Sequence, residues 1–258
     1  MDEDIQVHWY DEHTVILRQN MAINYEGPFL FLLFGNERVV LIDTGATGDA
    51  EFFPLRRVVD ELSAGRLGRY PRDGYELVVL HSHGHGDHVA GDEQFSDRAN
   101  TTVVGADLST AWKYFGFDED VDAVARIDPG GRVLECLATP GHHDAAVTFF
   151  DPWTGFLLTG DTVYPGRLYI QDWAAFTRSI DRLIEFADER AVSHVLGCHI
   201  EMTNEPGVDY PVRTTYQPDE RPLEMTTADL RDIRAAIEEV GLPPARRAFG
   251  RFILCPNV

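Results

Sequence analysis

The chain has almost no lysine. Lys113 is the only one among 258 residues, and all other basic side chains are arginines. Lys and Arg together number 22 against 43 Asp and Glu, so the formal net charge is −21 at pH 7. Non-specific binding to nucleic acid depends on basic side chains that neutralise phosphates. This charge balance therefore argues against a nucleic-acid partner.

Cysteines and long hydrophobic runs are also scarce. The three cysteines, Cys136, Cys198 and Cys255, are far apart and do not indicate a disulfide framework. The longest apolar run, Phe29 to Phe34, is far too short to cross a bilayer. The acidic first residues lack the organisation of a signal peptide. We expect a cytoplasmic protein with no membrane partner.

Histidine is concentrated in one segment. Residues 81–88 read His-Ser-His-Gly-His-Gly-Asp-His and contain four of the ten histidines. They follow an apolar run at 76–80 that predicts a buried strand. Clustered imidazoles repel one another when protonated and are costly to bury when neutral, so we expect a cation to organise them. The sequence therefore predicts a metal site at the end of a strand.

The frame His83-x-His85-x-Asp87-His88 resembles the metal-binding signature of the metallo-β-lactamase superfamily. His81 lies outside that frame and is not expected to be a ligand. Four further segments are similar to the other motifs of the family and occur in the family order: 41–45 (Leu-Ile-Asp-Thr-Gly), 139–142 (Thr-Pro-Gly-His), 158–162 (Leu-Thr-Gly-Asp-Thr) and 196–199 (Leu-Gly-Cys-His). The resemblance implies an α/β fold, a four-layer αβ/βα sandwich with two mixed β-sheets flanked by helices. We expect a single domain over residues 1–258.

The resemblance also implies two neighbouring metal sites that share one bridging carboxylate. The first set of ligands would be His83, His85 and His142, the second Asp87, His88 and His199, and the bridge Asp161. These donors suit two Zn²⁺ ions, with Fe²⁺ or mixed metals as the alternative. Asp43 is expected either to support the ligands or to form an Asx-type turn before Gly45.

Two residues near Asp161 are candidates for substrate contact, and each has a plainer interpretation. Tyr164 occupies a position where some lactonases of the superfamily carry a tyrosine that hydrogen-bonds the developing oxyanion; otherwise it is a packed aromatic residue. Arg167 would bind a substrate carboxylate or form a surface ion pair.

Residues 201–224 are rich in Pro and Tyr and follow the last ligand directly. They would present Tyr210, Arg213 and Tyr216 to a substrate, or would cross the surface as a packed loop. These residues and the acidic stretch 118–128 are both candidates for a lid over the pocket.

The favoured function is a hydrolase that cleaves an ester, thioester or lactone of a small molecule. Two zinc ions would hold a bridging hydroxide that attacks the carbonyl, and Asp87 would orient it or carry a proton. The alternatives are a sulfur dioxygenase with one iron, or another redox enzyme of this fold, and a metal-binding protein without catalysis. A β-lactamase is disfavoured, because Asp161 stands where some of those enzymes have a zinc-binding cysteine and because no lysine is placed for the drug carboxylate. A homodimer is left open.

Hydrophobic periodicity and turn residues predict an alternation of strands and helices along the whole chain. Strands are predicted at 5–10, 14–18, 29–34, 39–42, 76–80, 101–104, 133–138, 146–150, 156–158 and 192–195, and helices at about 51–63, 108–115, 173–187 and 226–240.

Overall fold

The computed structural model describes residues 4–256, which form fourteen strands in three sheets. The strands are β1 (Ile5–Asp11), β2 (Thr14–Gln19), β3 (Phe29–Phe34), β4 (Arg38–Ile42), β5 (Glu76–Leu80), β6 (Thr101–Val103), β7 (Ala125–Ile127), β8 (Leu134–Ala138), β9 (Val147–Asp151), β10 (Phe156–Gly160), β11 (Arg167–Ile170), β12 (His194–Gly197), β13 (Arg247–Ala248) and β14 (Ile253–Pro256). The first sheet has the order β1-β2-β3-β4-β5-β6 and the second the order β12-β10-β9-β8-β7. Both sheets mix parallel and antiparallel pairs, and a small third sheet has the order β11-β14-β13.

The helices lie between and outside these strands. They are α1 (Leu55–Arg69), α2 (Gly86–Val89), α3 (Leu108–Phe115), α4 (Trp173–Asp188) and α5 (Thr227–Val240), with a 3₁₀ turn at Asp92–Phe95. Asp172 caps the start of α4 by accepting a hydrogen bond from the backbone N–H of Ala175 at 2.8 Å. Thr226 forms a capping box with Asp229 at the start of α5.

Alternation of side chains along the strands produces the four layers. On β3, Phe31 and Leu33 pack between the two large sheets, whereas Leu30 and Leu32 pack in the cluster that includes α1. Leu157 on β10 belongs to the cluster that α4 and α5 complete on the far side of the second sheet. The layers are therefore α1, the first sheet, the second sheet, and α4 with α5. This order confirms the predicted sandwich.

Most predicted elements are confirmed within one or two residues, but the helix predicted at 51–63 was misplaced at both ends. It begins at Leu55. Pro54 occupies the N-cap position, and the helix does not extend to the residues before this proline. It continues to Arg69 through Gly65 and Gly68, two residues that normally weaken a helix. The small third sheet was not predicted, because strands of two to four residues carry too little periodicity.

Each described helix falls short of the length and apolar character that a bilayer-spanning helix needs. All three cysteines are free and buried.

A buried arginine ties the two large sheets together. The guanidinium of Arg132 binds both carboxylate oxygens of Asp151 at the end of β9. It also donates to the hydroxyl of Thr14 at 2.8 Å and to the carbonyl oxygens of His13 and Phe34 at 2.6 and 3.2 Å. Neither side chain of the ion pair is exposed to solvent. The network therefore satisfies a charge pair that would otherwise be costly to bury.

We predict that Arg132→Ala lowers the free energy of unfolding by about 3–5 kcal/mol, because it leaves the Asp151 carboxylate buried without its partner. Urea denaturation followed by circular dichroism would measure this loss. The control is Arg126→Ala, which removes an arginine that is 68% exposed and should cost less than about 1 kcal/mol. Equal losses in the two variants would contradict the prediction.

Candidate metal centre

The predicted ligands follow the carboxyl ends of strands. β5 ends just before His83, β8 before His142, β10 before Asp161 and β12 before His199. β10 and β12 are parallel, and β8 and β10 are each antiparallel to β9, so these three strands end at the same edge of the second sheet. The first sheet packs against the second, which brings the loop after β5 to the same place. One centre can therefore collect ligands from both sheets.

Three histidines form the first group. Nδ1 of His85 lies 3.0 Å from Nε2 of His83 and 3.0 Å from Nε2 of His142. His142 donates from Nδ1 to the carbonyl oxygen of Tyr169 at 2.7 Å, so its Nε2 carries a lone pair and no proton in the neutral ring. Three ring nitrogens directed at one point are the donor set of a metal site with an open position.

Two histidines and two aspartates form the second group. Nε2 of His199 lies 3.2 Å from Oδ2 of Asp87 and 3.4 Å from Oδ1 of Asp161. Nε2 of His88 lies 3.4 Å and 3.5 Å from the same two atoms. Oδ2 of Asp161 lies 3.7 Å from Nε2 of His142 in the first group. The carboxylate of Asp161 thus stands between the two groups, with one oxygen toward each.

Hydrogen bonds on the outer side fix the ring orientations of the second group. Nδ1 of His88 lies 2.9 Å from Oδ2 of Asp43, whose carboxylate also accepts from the backbone N–H and the hydroxyl of Ser82. Nδ1 of His199 donates to the carbonyl oxygen of Glu26 at 3.0 Å. Asp43 is fully buried, and its carboxylate also accepts from the thiol of Cys198. These contacts direct both Nε2 atoms inward, which is how outer partners normally orient metal-binding histidines.

The unpaired atoms of the centre fit a cation. Among the residues described, Nε2 of His88 and Oδ1 of Asp161 are buried without a hydrogen-bond partner. A buried polar atom without a partner costs free energy, and both of these atoms face the second group. Each group keeps its ligand atoms within 4.8 Å of one another. The donors therefore fit two adjacent metal ions.

Burial and charge act differently on the two groups. Burial lowers the pKa of His83 well below its usual value, and the neighbouring imidazole of His88 adds to this effect. Burial would also lower the pKa of His199, but the carboxylates of Asp161 and Asp87 outweigh it and raise the pKa to about 10. Without metal, the second group would hold protons beside its carboxylates. A cation bound there would replace those protons.

Gly141 allows the loop that carries His142 to lie close to α4. Gly141 has φ of 141°, and a Cβ at this position would lie 2.4 Å from the Cα atom of Phe176 in α4. Only a residue without a side chain allows the loop to pass this close to the helix. The glycine of the motif at 139–142 is therefore a packing requirement of the site.

Two predicted substrate contacts are placed inside the protein. Tyr164 is 2% exposed, and its hydroxyl donates to the carbonyl oxygen of Arg167, so that proton is already used. Its ring packs edge-on against the ring of His199 at 5.7 Å. Arg167 is not a surface ion pair, because its buried guanidinium pairs with Glu201 and Asp209. Its contact with a substrate stays a prediction. Both residues build the wall behind the centre.

The loop at 201–224 lies beside the metal centre. The hydroxyl of Tyr210 accepts from the backbone N–H of Asp219 within this loop, whereas Tyr216 is 77% exposed. Arg213 is exposed, has φ of 69°, and lines a small cavity together with Tyr25 and Glu201. Contact of Tyr210, Arg213 and Tyr216 with a substrate stays a prediction.

The other candidates near the motif have local partners. His81 lies between the carbonyl oxygen of Val104 and the carboxylate of Asp92, each at 2.9 Å, and belongs to neither ligand group. The stretch 118–128 contains the edge strand β7, and Arg182 of α4 donates to two of its carbonyl oxygens. Sequence reasoning did not find Glu26 and Tyr169, because both act through backbone carbonyls that no side-chain pattern reveals.

The family model described as the Metallo-beta-lactamase superfamily matches residues 27–236. The chain belongs to this superfamily. This membership and the two groups of potential metal ligands identify the protein as a hydrolase with the metallo-β-lactamase fold. The metallo-beta-lactamase from Pontibacter korlensis, a solved structure, matches with a TM-score of 0.59 at 16% identity, over 91% of this chain and 99% of that one. That likeness shows the fold.

Curated relatives in the superfamily are more similar in sequence. A hydroxyacylglutathione hydrolase of Rhizobium meliloti is 30% identical over 163 residues, 61% of this chain and 60% of that protein. Another, of Brucella ovis, is 26% identical over 176 residues, 67% of this chain and 65% of that protein. The match thus spans less than two thirds of the length of each relative.

We predict that the two groups bind metal separately. The half-buried His85 belongs to the first group alone, so His85→Ala should reduce the metal content from about two ions per chain to about one. Elemental mass spectrometry on untagged protein would measure this. His194→Ala, outside both groups, is the control and should keep both ions. Retention of two ions by His85→Ala would contradict the assignment of that ligand.

Proposed function

We propose that the protein is a dinuclear zinc hydrolase that cleaves a thioester bond in a small molecule. The observation that carries the proposal is the position of Asp161, whose two oxygens face the two ligand groups. Similarity to hydroxyacylglutathione hydrolases supports the thioester, because hydroxyacylglutathione is one. Esters and lactones react through the same kind of carbonyl and are the next candidates.

Two bound zinc ions would supply a nucleophilic water at neutral pH and would polarise the carbonyl oxygen. The residues of the chain have separate tasks. Asp87 is the more exposed of the two aspartates, with 22% of its side chain accessible against 8% for Asp161. Burial would raise the pKa of Asp87, but the neighbouring imidazoles of His199 and His88 bring it well below its usual value. Its ionised carboxylate can therefore hold an acceptor position toward the incoming water.

The hydrogen-bond partners on the outer side of the centre fix the orientation of the metal-facing histidine rings. Asp43, Tyr169 and Glu26 hold His88, His142 and His199 in one orientation each. The ligands therefore need little rearrangement during turnover, and fixed dipoles of this kind favour charge that develops in the transition state. We also propose a cytoplasmic location, which the three unpaired cysteines support.

The first test is metal content together with a substrate panel. Purified without added metal, the protein should contain about two zinc ions and hydrolyse S-acyl thioesters faster than the matching oxygen esters and lactones. About one iron per chain, with oxygen uptake on thiol or persulfide substrates, would instead support the dioxygenase alternative. Hydrolysis of lactones alone would contradict the thioester part of the proposal.

We predict that Asp87→Ala lowers kcat by about 10²- to 10⁴-fold, because it removes the accessible carboxylate that handles the water and its proton. The measurement is the steady-state rate on the best thioester, with the metal content of each sample determined. Asp144→Ala, which removes an exposed carboxylate next to His143, is the matched control and should retain wild-type kcat. Full activity in metal-replete Asp87→Ala would overturn the proposed role of this residue.

A further inference from the structure

A buried arginine behind the metal centre binds several segments of the chain. The side chain of Arg167 is 8% exposed. Its guanidinium pairs with the carboxylate of Glu201, and Nη1 donates to Asp209 at 2.9 Å and to the carbonyl oxygen of Tyr210 at 2.8 Å. Nε donates to the hydroxyl of Tyr169 at 3.1 Å. One planar group with five N–H donors thus binds four acceptors, one more than the three donors of an ammonium group can satisfy.

The first connection leads to His199. Glu201, two residues after this ligand, accepts from the backbone N–H of Arg167 at 2.6 Å and donates its own N–H to the carbonyl oxygen of Pro165 at 2.9 Å. The carbonyl oxygen of Arg167 also accepts from Tyr164, whose ring contacts the ring of His199. Arg167 therefore holds both the backbone after His199 and the aromatic ring beside it.

The second connection leads to His142. The carbonyl oxygen that accepts from Nδ1 of His142 belongs to Tyr169, which lies on β11 with Arg167. Beyond the end of the same strand, the backbone N–H groups of Gln171 and Asp172 donate to the carbonyl oxygen of Gly141 at 2.8 and 3.0 Å. The position of β11 thus sets both the orientation of the His142 ring and the path of the backbone before it.

We propose that Arg167 is a positioning residue of the metal centre, which through Glu201 and β11 orients one histidine in each ligand group. Its loss would loosen both metal sites together, although it contacts neither of them. It also keeps the buried carboxylate of Glu201 paired. The inference rests on the metal centre of the proposed function and not on the choice of substrate.

A second ion pair offers a matched comparison. Arg18 on β2 donates from Nη1 and Nη2 to the two carboxylate oxygens of Glu220, at 2.6 and 2.7 Å, and so holds the same loop, 201–224. The two side chains are 15% and 26% exposed, against 8% and 14% for Arg167 and Glu201, so both pairs are largely buried. Glu220 makes no hydrogen bond to the described residues that orient the ligands. Breaking this pair loosens the loop alone.

The experiment compares Arg167→Lys, Glu201→Gln and Glu220→Gln with the wild-type protein. The dissociation constant for zinc is measured by competition with a chromophoric chelator, and the Co²⁺-substituted proteins are compared by their visible absorption. We expect Arg167→Lys and Glu201→Gln to bind zinc about 10- to 100-fold more weakly, with altered Co²⁺ spectra. Glu220→Gln should bind zinc within about threefold of wild type.

The outcomes separate this inference from the proposed function. If the wild-type protein holds two zinc ions and both Arg167→Lys and Glu201→Gln bind zinc as it does, the inference is wrong and the function stands. An equal loss of zinc in Glu220→Gln would also overturn it, because loosening the loop would then be sufficient. Wild-type protein that binds no metal would overturn both. Glu201→Gln preserves side-chain volume, so it carries the test if Arg167→Lys does not fold, as judged by circular dichroism.

Discussion

The site depends on one constraint, the hydrogen bonds on the outer side that fix each ring with its other nitrogen directed into the centre. His142 donates from Nδ1 to the carbonyl oxygen of Tyr169, and His199 donates from Nδ1 to that of Glu26. His88 is held by Asp43 in the same way. Because these outer bonds fix the rings, the inner nitrogens cannot turn toward water. A cation is the partner that satisfies them together.

The sequence predicted the layers and the ligands for different reasons. Strands such as β3 are read from alternation, since Phe31 and Leu33 must face one layer while Leu30 and Leu32 face the other. The ligands are read from a motif, since spacing such as His83-x-His85 has few uses other than metal binding. Both kinds of signal lie in side chains that are close together along the chain.

The rest could not be predicted because it depends on distant segments and on backbone atoms. Tyr164 and Arg167 are polar residues close to a ligand in sequence, which made contact with a substrate a fair expectation. The partners of Arg167, Glu201 and Asp209, come from a loop more than thirty residues later. Only the fold shows that this loop encloses the arginine. The carbonyl oxygens that orient His142 and His199 carry no signal in the sequence at all.

The second ligand group explains why hydrolysis would depend on the number of metal ions bound. Without a cation in the second group, the carboxylates of Asp161 and Asp87 would keep a proton on His199, whose pKa is raised to about 10. Asp161 and Asp43 also raise the pKa of His88 despite its burial. A second cation has to displace those protons, so its binding strengthens as the pH rises. The one-metal state is therefore balanced by protonated imidazoles, and the two-metal state by the ions themselves. Only the latter would leave each inward-facing ring nitrogen unprotonated and bound, as hydrolysis by two metal ions requires.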